Sequence, residues 1–510
     1  MKILLVYPQY PDTFWSFKYA LKFIDRKASF PPLGLLTVAA MLPAAWEKRL
    51  VDLNVRKLED ADIRWGDLVF VSAMSVQRDS AREVLARCRL LGVKTVAGGP
   101  LFTACHREFP EVDHLLLGEA ETTLPPFLKD LGQGTPGRLY ADELRADVSR
   151  TPIPLWELAD VRDYAAMNVQ YSRGCPFDCE FCDITALFGR TPRTKEVPQL
   201  IAELESLYLR GWRGAVFFVD DNFIGDRRKL KAELLPALRG WMEERGHPFY
   251  FYTEASIDLA DDADLMQQMV QAGFREVFIG IETPHEAGLS ESGKVQNKHR
   301  DLLASVRKIQ RGGLQVLGGF IVGFDSDPPT IFESQIRFIQ QSGIATAMVG
   351  VLTALRGTRL HRRLEREGRL VGEASGNNTA IALNFVPRME ADALIDGYLA
   401  ILDAIYLPRN YYRRVIQLLR EYRPQRQGTF HYQRGYAGAL LKSMLRLGVL
   451  GRERLYFWKL FIWSLATRPR LFPLAITYAV YGFHFRKVAK RLKEQAGTSR
   501  APLSPTPGGG

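Results

Sequence analysis

Short apolar segments alternate with helix-like segments along the first 140 residues. Helices are predicted at Gly34–Leu42 and Asp79–Leu91. The apolar segments predict strands at Ile3–Tyr7, Leu50–Leu53, Leu68–Ser72, Thr95–Ala97 and His114–Leu117. Strands that alternate with helices form parallel sheets covered on both faces. Residues 1–140 are therefore predicted to form a Rossmann-like α/β domain.

The alternation resumes beyond a proline-spaced connector, Thr151–Trp156, which lies in a predicted linker of residues 141–165. Six further strands are predicted at Asn168–Tyr171, Val216–Val219, Tyr250–Thr253, Glu276–Gly280, Leu317–Val322 and Ala347–Leu352. Each is followed by an amphipathic segment. Six strand–helix units suit a partial, TIM-like (β/α)6 barrel over residues 166–375, and reactive groups in barrels gather where the strands end.

Residues 376–497 lose the strand rhythm and are predicted to be mostly helical. The stretch from 408 to 497 has 19 Lys and Arg against three acidic residues, a net charge of +16, which leaves −5 for the rest of a chain whose total is +11. Its apolar, aromatic stretches Leu455–Trp463 and Leu471–Phe485 are shorter than the ~20 residues of a membrane span. Such stretches beside basic residues are typical of helices at an anionic membrane surface. The alternative is a helical lid on the barrel. Residues 498–510 are predicted to be a disordered tail.

Composition narrows the class of protein. An apolar content of 46% and a charged content of 25% are ordinary for a globular protein. Five cysteines in 510 residues do not make a disulfide framework. The segment Met1–Pro8 reads as a first strand and not as a signal peptide. We therefore expect a reducing cytoplasm, and because the basic residues are confined to one segment, nucleic acid is not the expected partner.

Three cysteines lie close together in the sequence, at Cys175, Cys179 and Cys182. Three thiolates can hold three irons of a four-iron cluster and leave the fourth iron open to a ligand. A structural zinc site would want a fourth ligand nearby, and the remaining cysteines, Cys88 and Cys105, are at least 70 residues upstream. A cluster is thus favoured over a zinc knuckle.

With Phe181 before its last cysteine, this motif resembles that of radical S-adenosylmethionine (SAM) enzymes. The resemblance implies that SAM binds the open iron and is cleaved by one electron to a 5'-deoxyadenosyl radical. It also implies SAM contacts where later strands end. These residues are Asp220, Asp221, Asn222, Glu254, Glu282, Gly319, Ile321 and Gly323.

The N-terminal segments resemble the cobalamin-binding domain that precedes many radical SAM domains. The resemblance implies cobalamin contacts at Pro8, Ser72, Met74, Gln77, Gly98, Gly99, Pro100, Gly118 and Glu119. The Asp-x-His-x-x-Gly sequence of methionine synthase-like domains is missing after the first strand, so no histidine is expected below the cobalt. We assign His106 and His114 to surface or packing roles. The Gly-x-Gly-x-x-Gly sequence of nicotinamide-binding domains is also missing there.

To about residue 490 the chain is similar to one subfamily of cobalamin-dependent radical SAM proteins, which has its own C-terminal domain and includes hopanoid C-2 methylase. The cues are Phe217–Gly225, Gly280–Pro284, Gly357–Leu360 and Glu367–Leu370. The similarity implies methylation of an unactivated carbon of an apolar substrate, with a hopanoid-like lipid favoured. A hydrogen is abstracted by the radical, and the methyl group comes from cobalamin. The electron would come from a flavodoxin or ferredoxin type of reductant.

Other functions stay open at this point. The same cofactors serve tetrapyrrole methylation and radical cyclisation or rearrangement. A non-catalytic cobalamin or cluster sensor is less well supported, because a sensor need not keep a SAM pocket. A methylthiotransferase is set aside, since its N-terminal domain needs three cluster cysteines and only Cys88 and Cys105 are available.

Overall fold

The computed structural model describes residues 1–142, 144–424 and 435–498. Its N-terminal sheet has six strands in the order β2-β1-β3-β4-β5-β6, all paired in parallel. The strands are β1 (Lys2–Tyr7), β2 (Glu47–Asp52), β3 (Leu68–Ser72), β4 (Lys94–Gly98), β5 (His114–Leu117) and β6 (Leu139–Ala141). The predicted Rossmann-like sheet is confirmed, with β6 as an unpredicted sixth strand. The order reverses between β1 and β3, where such sheets bind ligands.

Helices cover both faces of this sheet. They are α1 (Lys18–Leu21), α2 (Leu33–Met41), α3 (Asp60–Trp65), α4 (Arg78–Leu90), α5 (Pro100–Cys105) and α6 (Ala120–Gly132). Alternate residues of β1 enter two separate cores: Leu4 and Val6 pack with α4 and α5, while Ile3 and Leu5 pack with α2 and α6. Burial on both faces explains why β1, β3 and β5 are continuous apolar runs.

The second sheet is the predicted partial barrel. Six parallel strands follow the order β14-β13-β12-β11-β10-β7. In chain order these six strands are β7 (Met167–Val169), β10 (Gly214–Phe218), β11 (Phe249–Ala255), β12 (Phe274–Glu282), β13 (Gln315–Val322) and β14 (Ala347–Val351). Two further strands, β8 (Ser172–Arg173) and β9 (Arg193–Thr194), form a separate sheet. The short antiparallel pair β8–β9 was not predicted, and it brackets the cysteines.

Helices alternate with the strands of the barrel, and the longer ones are amphipathic and cover its outside. They are α7 (Ile184–Phe188), α8 (Val197–Leu209), α9 (Arg227–Lys229), α10 (Leu235–Glu244), α11 (Ala263–Gln271), α12 (Glu286–Glu291), α13 (Leu302–Arg311), α14 (Ile331–Ser342) and α15 (Arg359–Arg366). A π-helical turn, Leu230–Leu234, joins α9 to α10. Strands β7 and β14 are the edges of this open sheet.

The C-terminal part is helical, as predicted. Its helices are α16 (Ala391–Tyr406), α17 (Pro408–Glu421), α18 (Gly435–Ser443), α19 (Arg454–Thr467) and α20 (Phe472–Thr498), with a π-helical turn at Met444–Val449. Helix α20 packs between the two other domains. Phe485 stacks on Phe14 at 4.2 Å, and the Tyr478 hydroxyl donates to Gln315 Oε1 at 2.8 Å. The predicted tail beyond Thr498 lies outside the described residues.

The two predicted apolar stretches have different surroundings. Most of Leu471–Phe485 is buried in the main core, so the alternative of a helical lid holds for this stretch and the membrane interpretation is wrong for it. In α19, by contrast, Leu455 and Ile462 keep 78% and 63% of their surface exposed. None of the helices in the described part of the chain combines the length and apolarity that crossing a bilayer requires.

Candidate active site

The three cysteines lie on a loop that begins beside β8. Gly174 starts the loop at φ 98°, and a Cβ there would come within 2.8 Å of the Thr191 carbonyl oxygen, so only glycine fits. The Cys182 amide donates to the Cys179 carbonyl at 3.2 Å, which curls the loop. Cys179 is buried, and Cys175 and Cys182 are half-buried.

The ligand set of the loop suits an iron–sulfur cluster, because three thiolates hold three irons of a four-iron cluster and leave the fourth iron open. Burial raises the pKa of each loop thiol, and Lys294 partly opposes this effect. Bound iron would supply the charge that keeps the thiolates ionised.

The polar residues after β10 brace this loop. Both carboxylate oxygens of Asp220 accept backbone hydrogen bonds, from Tyr171 and Ser172, and Asp221 accepts from the Gly174 amide at 2.8 Å. Burial raises the pKa of Asp220 to about 7 and that of Asp221 to about 6. The Asn222 side chain is bonded to Ser256. The structure thus shows a supporting role for these residues, and their contact with SAM stays a prediction.

Glu282 occupies a strained position at the end of β12. Its φ is 61°, which is unusual for a residue other than glycine, and the strand register shifts just before it. Asn297 holds this turn by donating to the Gly280 and Ile281 carbonyls, at 3.0 Å each. Gly280 leaves room for the Glu282 carboxylate and the Lys294 ammonium group, which a Cβ at this position would displace.

Lys294 is a site residue that the sequence analysis missed. Its ammonium group donates to Glu282 Oε1 at 2.7 Å, and its charge acts on the thiols of all three loop cysteines. It lies in a loop after α12 and belongs to no recognisable sequence pattern. It brings a positive charge to the cysteine loop, and the Glu282 carboxylate is its partner there.

Glu254, at the end of β11, has no such cation bonded to it in the described part of the chain. Burial raises its pKa to about 8, and the nearby Asp221 carboxylate adds to the shift. The folded protein therefore holds a proton that the unfolded chain releases above its ordinary pKa. Stability contributed by the protonated form is lost as the pH rises towards about 8.

We expect Glu254→Gln to stabilise the cofactor-free protein increasingly with pH. Its free energy of unfolding should exceed that of the wild type by about 1–3 kcal/mol more at pH 7.5 than at pH 5, because the amide has no proton to lose. Urea denaturation at the two pH values measures this. The exposed Glu333→Gln is the control, and an equal pH response of the Glu254→Gln variant and the wild type would contradict the assignment.

The end of β13 lies beside the cysteine loop. Phe181 packs with Ile321 and Phe324 in one apolar cluster. The Gly323 amide, at φ 104°, donates to Asp327 at 2.8 Å, and a Cβ on Gly319 would meet the Phe278 ring at 2.7 Å. The structure thereby joins the predicted residues Phe181, Gly319, Ile321 and Gly323 at one edge of the barrel.

Helix α15, at the start of the C-terminal region, clamps the cysteine loop. Arg363 donates to Glu180 at 2.8 Å and to Asp325 at 2.9 Å. Arg359 donates to the Asp178 carbonyl at 2.7 Å, and the Leu360 amide donates to the Glu180 carbonyl at 2.9 Å. The Gly357–Leu360 motif therefore has a structural reason: it ties the C-terminal region to residues between the cysteines.

The predicted cobalamin contacts gather at the carboxyl edge of the N-terminal sheet. Gly99 (φ 91°) and Gly118 (φ 87°) follow β4 and β5, and a Cβ on Gly99 would come within 2.8 Å of the Ser72 hydroxyl. Gly98 and Pro100 flank Gly99. This edge thus allows close approach of a ligand to the backbone, which suits a cofactor with many amide side chains.

Pro8, Met74 and Gln77 form the neighbouring part of this edge. The Gln77 amide donates to the Pro8 carbonyl, and the Met74 backbone amide donates to Gln77 Oε1 at 2.8 Å. Gln77 is buried and holds the loop in place, whereas Met74 is 48% exposed. Met74 is therefore the one of the three whose side chain is available to a ligand.

Neither histidine of this domain is placed to ligate a metal at that edge. His114 begins β5, so it lies at the opposite edge of the sheet, and its Nδ1 is 2.7 Å from the Gly137 carbonyl oxygen. His106 follows the far end of α5. The arrangement supports the packing roles assigned to them.

Glu119 has a partner that the sequence analysis did not foresee. Its carboxylate is 2% exposed and pairs with Arg173 at 2.8 Å and Arg193 at 3.0 Å, on the two short strands around the cysteine loop. Arg173 also pairs with Glu121 at 2.8 Å. These ion pairs connect the N-terminal domain to the barrel, so the Glu119 side chain is committed to the domain interface. Contact of cobalamin with its backbone stays a prediction.

Comparisons with known proteins agree with this arrangement. Residues 23–128 match the B12 binding domain, residues 169–339 match the Radical SAM superfamily, and residues 358–498 match a Domain of unknown function (DUF4070). The last match begins with the helix that clamps the cysteine loop.

Two relatives cover nearly the whole chain. An uncharacterized methyltransferase of Synechocystis is 41% identical over 98% of this chain and 94% of its own length. The hopanoid C-2 methylase of Rhodopseudomonas palustris is 35% identical over 90% of this chain and 88% of its own length.

Solved structures share the fold. The cobalamin-dependent radical enzyme OxsB, with aqua-cobalamin and SAM bound, matches with a TM-score of 0.62 at 14% identity, over 98% of this chain and 80% of OxsB. The methyltransferase TsrM of Kitasatospora setae, with cobalamin and a [4Fe-4S] cluster bound, gives a TM-score of 0.61 at 13% identity, over 97% of this chain and 99% of TsrM.

The fold and site define a cobalamin-binding radical SAM enzyme. Given its two near full-length relatives, the chain belongs to the cobalamin-dependent radical SAM methyltransferase family. Its cofactors are a [4Fe-4S] cluster, SAM and cobalamin.

Proposed function

We propose that this enzyme methylates an unactivated carbon of an apolar, hopanoid-like lipid. The observation that carries the proposal is the lining of the barrel beneath the cysteine loop. Phe217 and Tyr252 stack at 4.8 Å, Trp15 meets Phe278 edge-on at 5.4 Å, and Phe30 lies 5.5 Å from Phe217. An aromatic lining suits a hydrocarbon skeleton. The 35% identical relative is a hopanoid C-2 methylase, which supports the same class of substrate.

Bound cluster and cobalamin would supply reductive cleavage of SAM and transfer of the methyl group. The protein itself would position the cofactors and the substrate and would exclude water from the site. The three loop cysteines hold the cluster, and Asp220 and Arg363 fix the loop from two sides. The ion pairs of Glu119 hold the cobalamin domain against the barrel.

Comparison of cells with and without the protein tests this function. Lipids and pigments are extracted from both under anaerobic growth with cobalamin and analysed by mass spectrometry. A triterpenoid gaining one methyl group only in cells with the protein supports the proposal. A methylated or cyclised tetrapyrrole, with unchanged lipids, would replace it with the main alternative.

A membrane surface would give access to such a substrate, and residues 441–465 supply one candidate contact. Of the eighteen large apolar side chains that are exposed among the described residues, eight lie there: Leu441, Leu445, Val449, Leu450, Leu455, Tyr456, Ile462 and Leu465. Exposed basic residues are interleaved with them: Arg446, Arg452, Arg454 and Lys459. Each basic residue contributes ~1 kcal/mol near an anionic surface. We call this set the α18–α19 patch.

We expect the double variant Leu455→Ser, Ile462→Ser to bind anionic vesicles at least ~10-fold more weakly than the wild type, because each apolar side chain contributes about 1.5–3 kcal/mol when buried. Vesicle sedimentation at low and high salt measures this. Leu90→Ser with Leu209→Ser is the matched control, since both residues are exposed elsewhere. Equal binding by both double variants, or none by the wild type, would contradict a membrane role for the patch.

We also assign the electron donor to the flavodoxin or ferredoxin type. A groove of about 510 Å³ lies beside the cysteine loop and is lined by Pro176, Phe177, Arg227 and Arg228, among others. A groove of this volume takes a side chain or a small molecule, so its position after Cys175 marks only the side from which a donor protein would approach the cluster ligands.

A further inference from the structure

An acidic side chain lies inside the barrel with no hydrogen-bond or ion-pair partner among the described residues. Strand β12 alternates between residues that pack against the outer helices, such as Val277 and Ile279, and residues that face the interior. Glu276 belongs to the interior set, in register with Tyr252 on β11 and Gln315 on β13. It therefore lies in the same layer as the aromatic lining, four residues before Gly280.

The surroundings of Glu276 are almost wholly aromatic. Helix α20 brings Tyr478 and Tyr481 beneath it, and Tyr422 at the end of α17 closes the same end of the barrel. Tyr478 and Tyr422 are buried, and the Tyr478 hydroxyl donates its hydrogen bond to Gln315 Oε1 at 2.8 Å. The neighbouring cation, Arg275, is exposed and lies over the Tyr250 ring at 4.8 Å.

Within the part of the chain that the structure describes, no hydrogen bond or ion pair reaches the Glu276 carboxyl. Burial raises its pKa to about 7. Its side chain nevertheless keeps part of its surface accessible, as do Tyr252, Phe278 and Glu254 on the same inner face. Partial accessibility deep inside a protein means that these residues border open space. An acid without a partner there is costly unless a ligand satisfies it.

We propose that Glu276 is a substrate-recognition residue, whose carboxyl accepts a hydrogen bond from a hydroxyl group on the otherwise apolar substrate. That the substrate is apolar is taken from the proposed function, on which this inference rests. A rise of ~3.3 Å per residue puts Glu276 on the order of 13 Å below Gly280. A hydroxyl held at the closed end would thus present the far end of the skeleton to the region of Glu254 and the cysteine loop.

The test compares two probes, a pentacyclic triterpene alcohol and the matching hydrocarbon without the hydroxyl. The enzyme, loaded with cluster and cobalamin, should favour the alcohol by at least ~10-fold in kcat/KM, because a buried acceptor left unpaired penalises the analogue without a donor. Glu276→Leu should remove that preference, by raising KM for the alcohol and lowering KM for the hydrocarbon, which no longer leaves a buried acceptor unpaired. Glu276→Gln keeps an acceptor and should restore part of the preference.

Infrared difference spectroscopy supplies a readout independent of turnover. The alcohol, and not the hydrocarbon, should shift a carboxyl band that is missing in Glu276→Gln and present in the surface control Glu333→Gln. A shift without methylation would uphold the recognition site and overturn the proposed function. Three results would overturn the recognition site. They are methylation of the alcohol without a band shift, an equal loss of kcat/KM on both probes in Glu276→Leu, and the absence of both the shift and methylation.

Discussion

We expect Cys182→Ala to lower the rate of 5'-deoxyadenosine formation at least ~1,000-fold below that of the wild type, which in practice abolishes it. Two thiolates cannot hold the cluster with a single open iron, so SAM loses its binding position and its source of the electron. The same result is expected for Cys175 and Cys179. The measurement is chromatographic analysis of SAM cleavage by anaerobically reconstituted protein with a chemical reductant.

Cys88→Ala is the matched control. Cys88 is fully buried in α4 of the N-terminal domain. Its replacement by Ala should therefore cost only packing energy, on the order of 1 kcal/mol. Iron content and SAM cleavage of this variant should match the wild type. Zinc in place of iron in anaerobic preparations, with no SAM cleavage by the wild type, would contradict the assignment of the cysteines.

Arg363→Ala should lower cluster content several-fold and SAM cleavage with it. The arginine holds Glu180, between two cluster ligands, and its loss leaves that carboxylate without the bond from α15. Removing charge-assisted hydrogen bonds from a partly exposed group costs about 1–3 kcal/mol, enough to open the loop tenfold more often. Iron analysis and the same chromatographic assay measure the two effects.

The control is Arg366→Ala on the same helix. Arg366 is exposed and bonds to its own helix, at the Arg362 carbonyl. It should keep wild-type iron content. Equal iron content in both variants would mean that the C-terminal region does not support the cysteine loop.

Much of the architecture was predictable because its signals are local. Strands β1, β3 and β5 are continuous apolar runs because the sheet is buried on both faces, and β3 and β5 begin and end at the predicted residues. The cysteine motif located the loop for the same reason, as its ligands are neighbours in the sequence. The unpredicted strands, β6, β8 and β9, have two or three residues each, too few for a periodic pattern.

The contacts between distant segments could not be predicted. Lys294 reaches the thiols from a loop more than 100 residues later, and Glu119 is committed to Arg173 across the domain boundary. The sequence of Leu471–Phe485 does not distinguish a helix at a membrane surface from a buried helix, because its aromatic content fits both. Only the docking of α20 against Phe14 and Gln315 decides between them.

The stoichiometry of SAM use tests the central claim most directly. Anaerobic enzyme is supplied with methyl-deuterated SAM, a chemical reductant and the triterpene alcohol, and all products are quantified together. The account predicts one 5'-deoxyadenosine and one S-adenosylhomocysteine for each deuterated methyl group that appears on carbon. Carbon methylation accompanied by S-adenosylhomocysteine alone, with no 5'-deoxyadenosine, would contradict it.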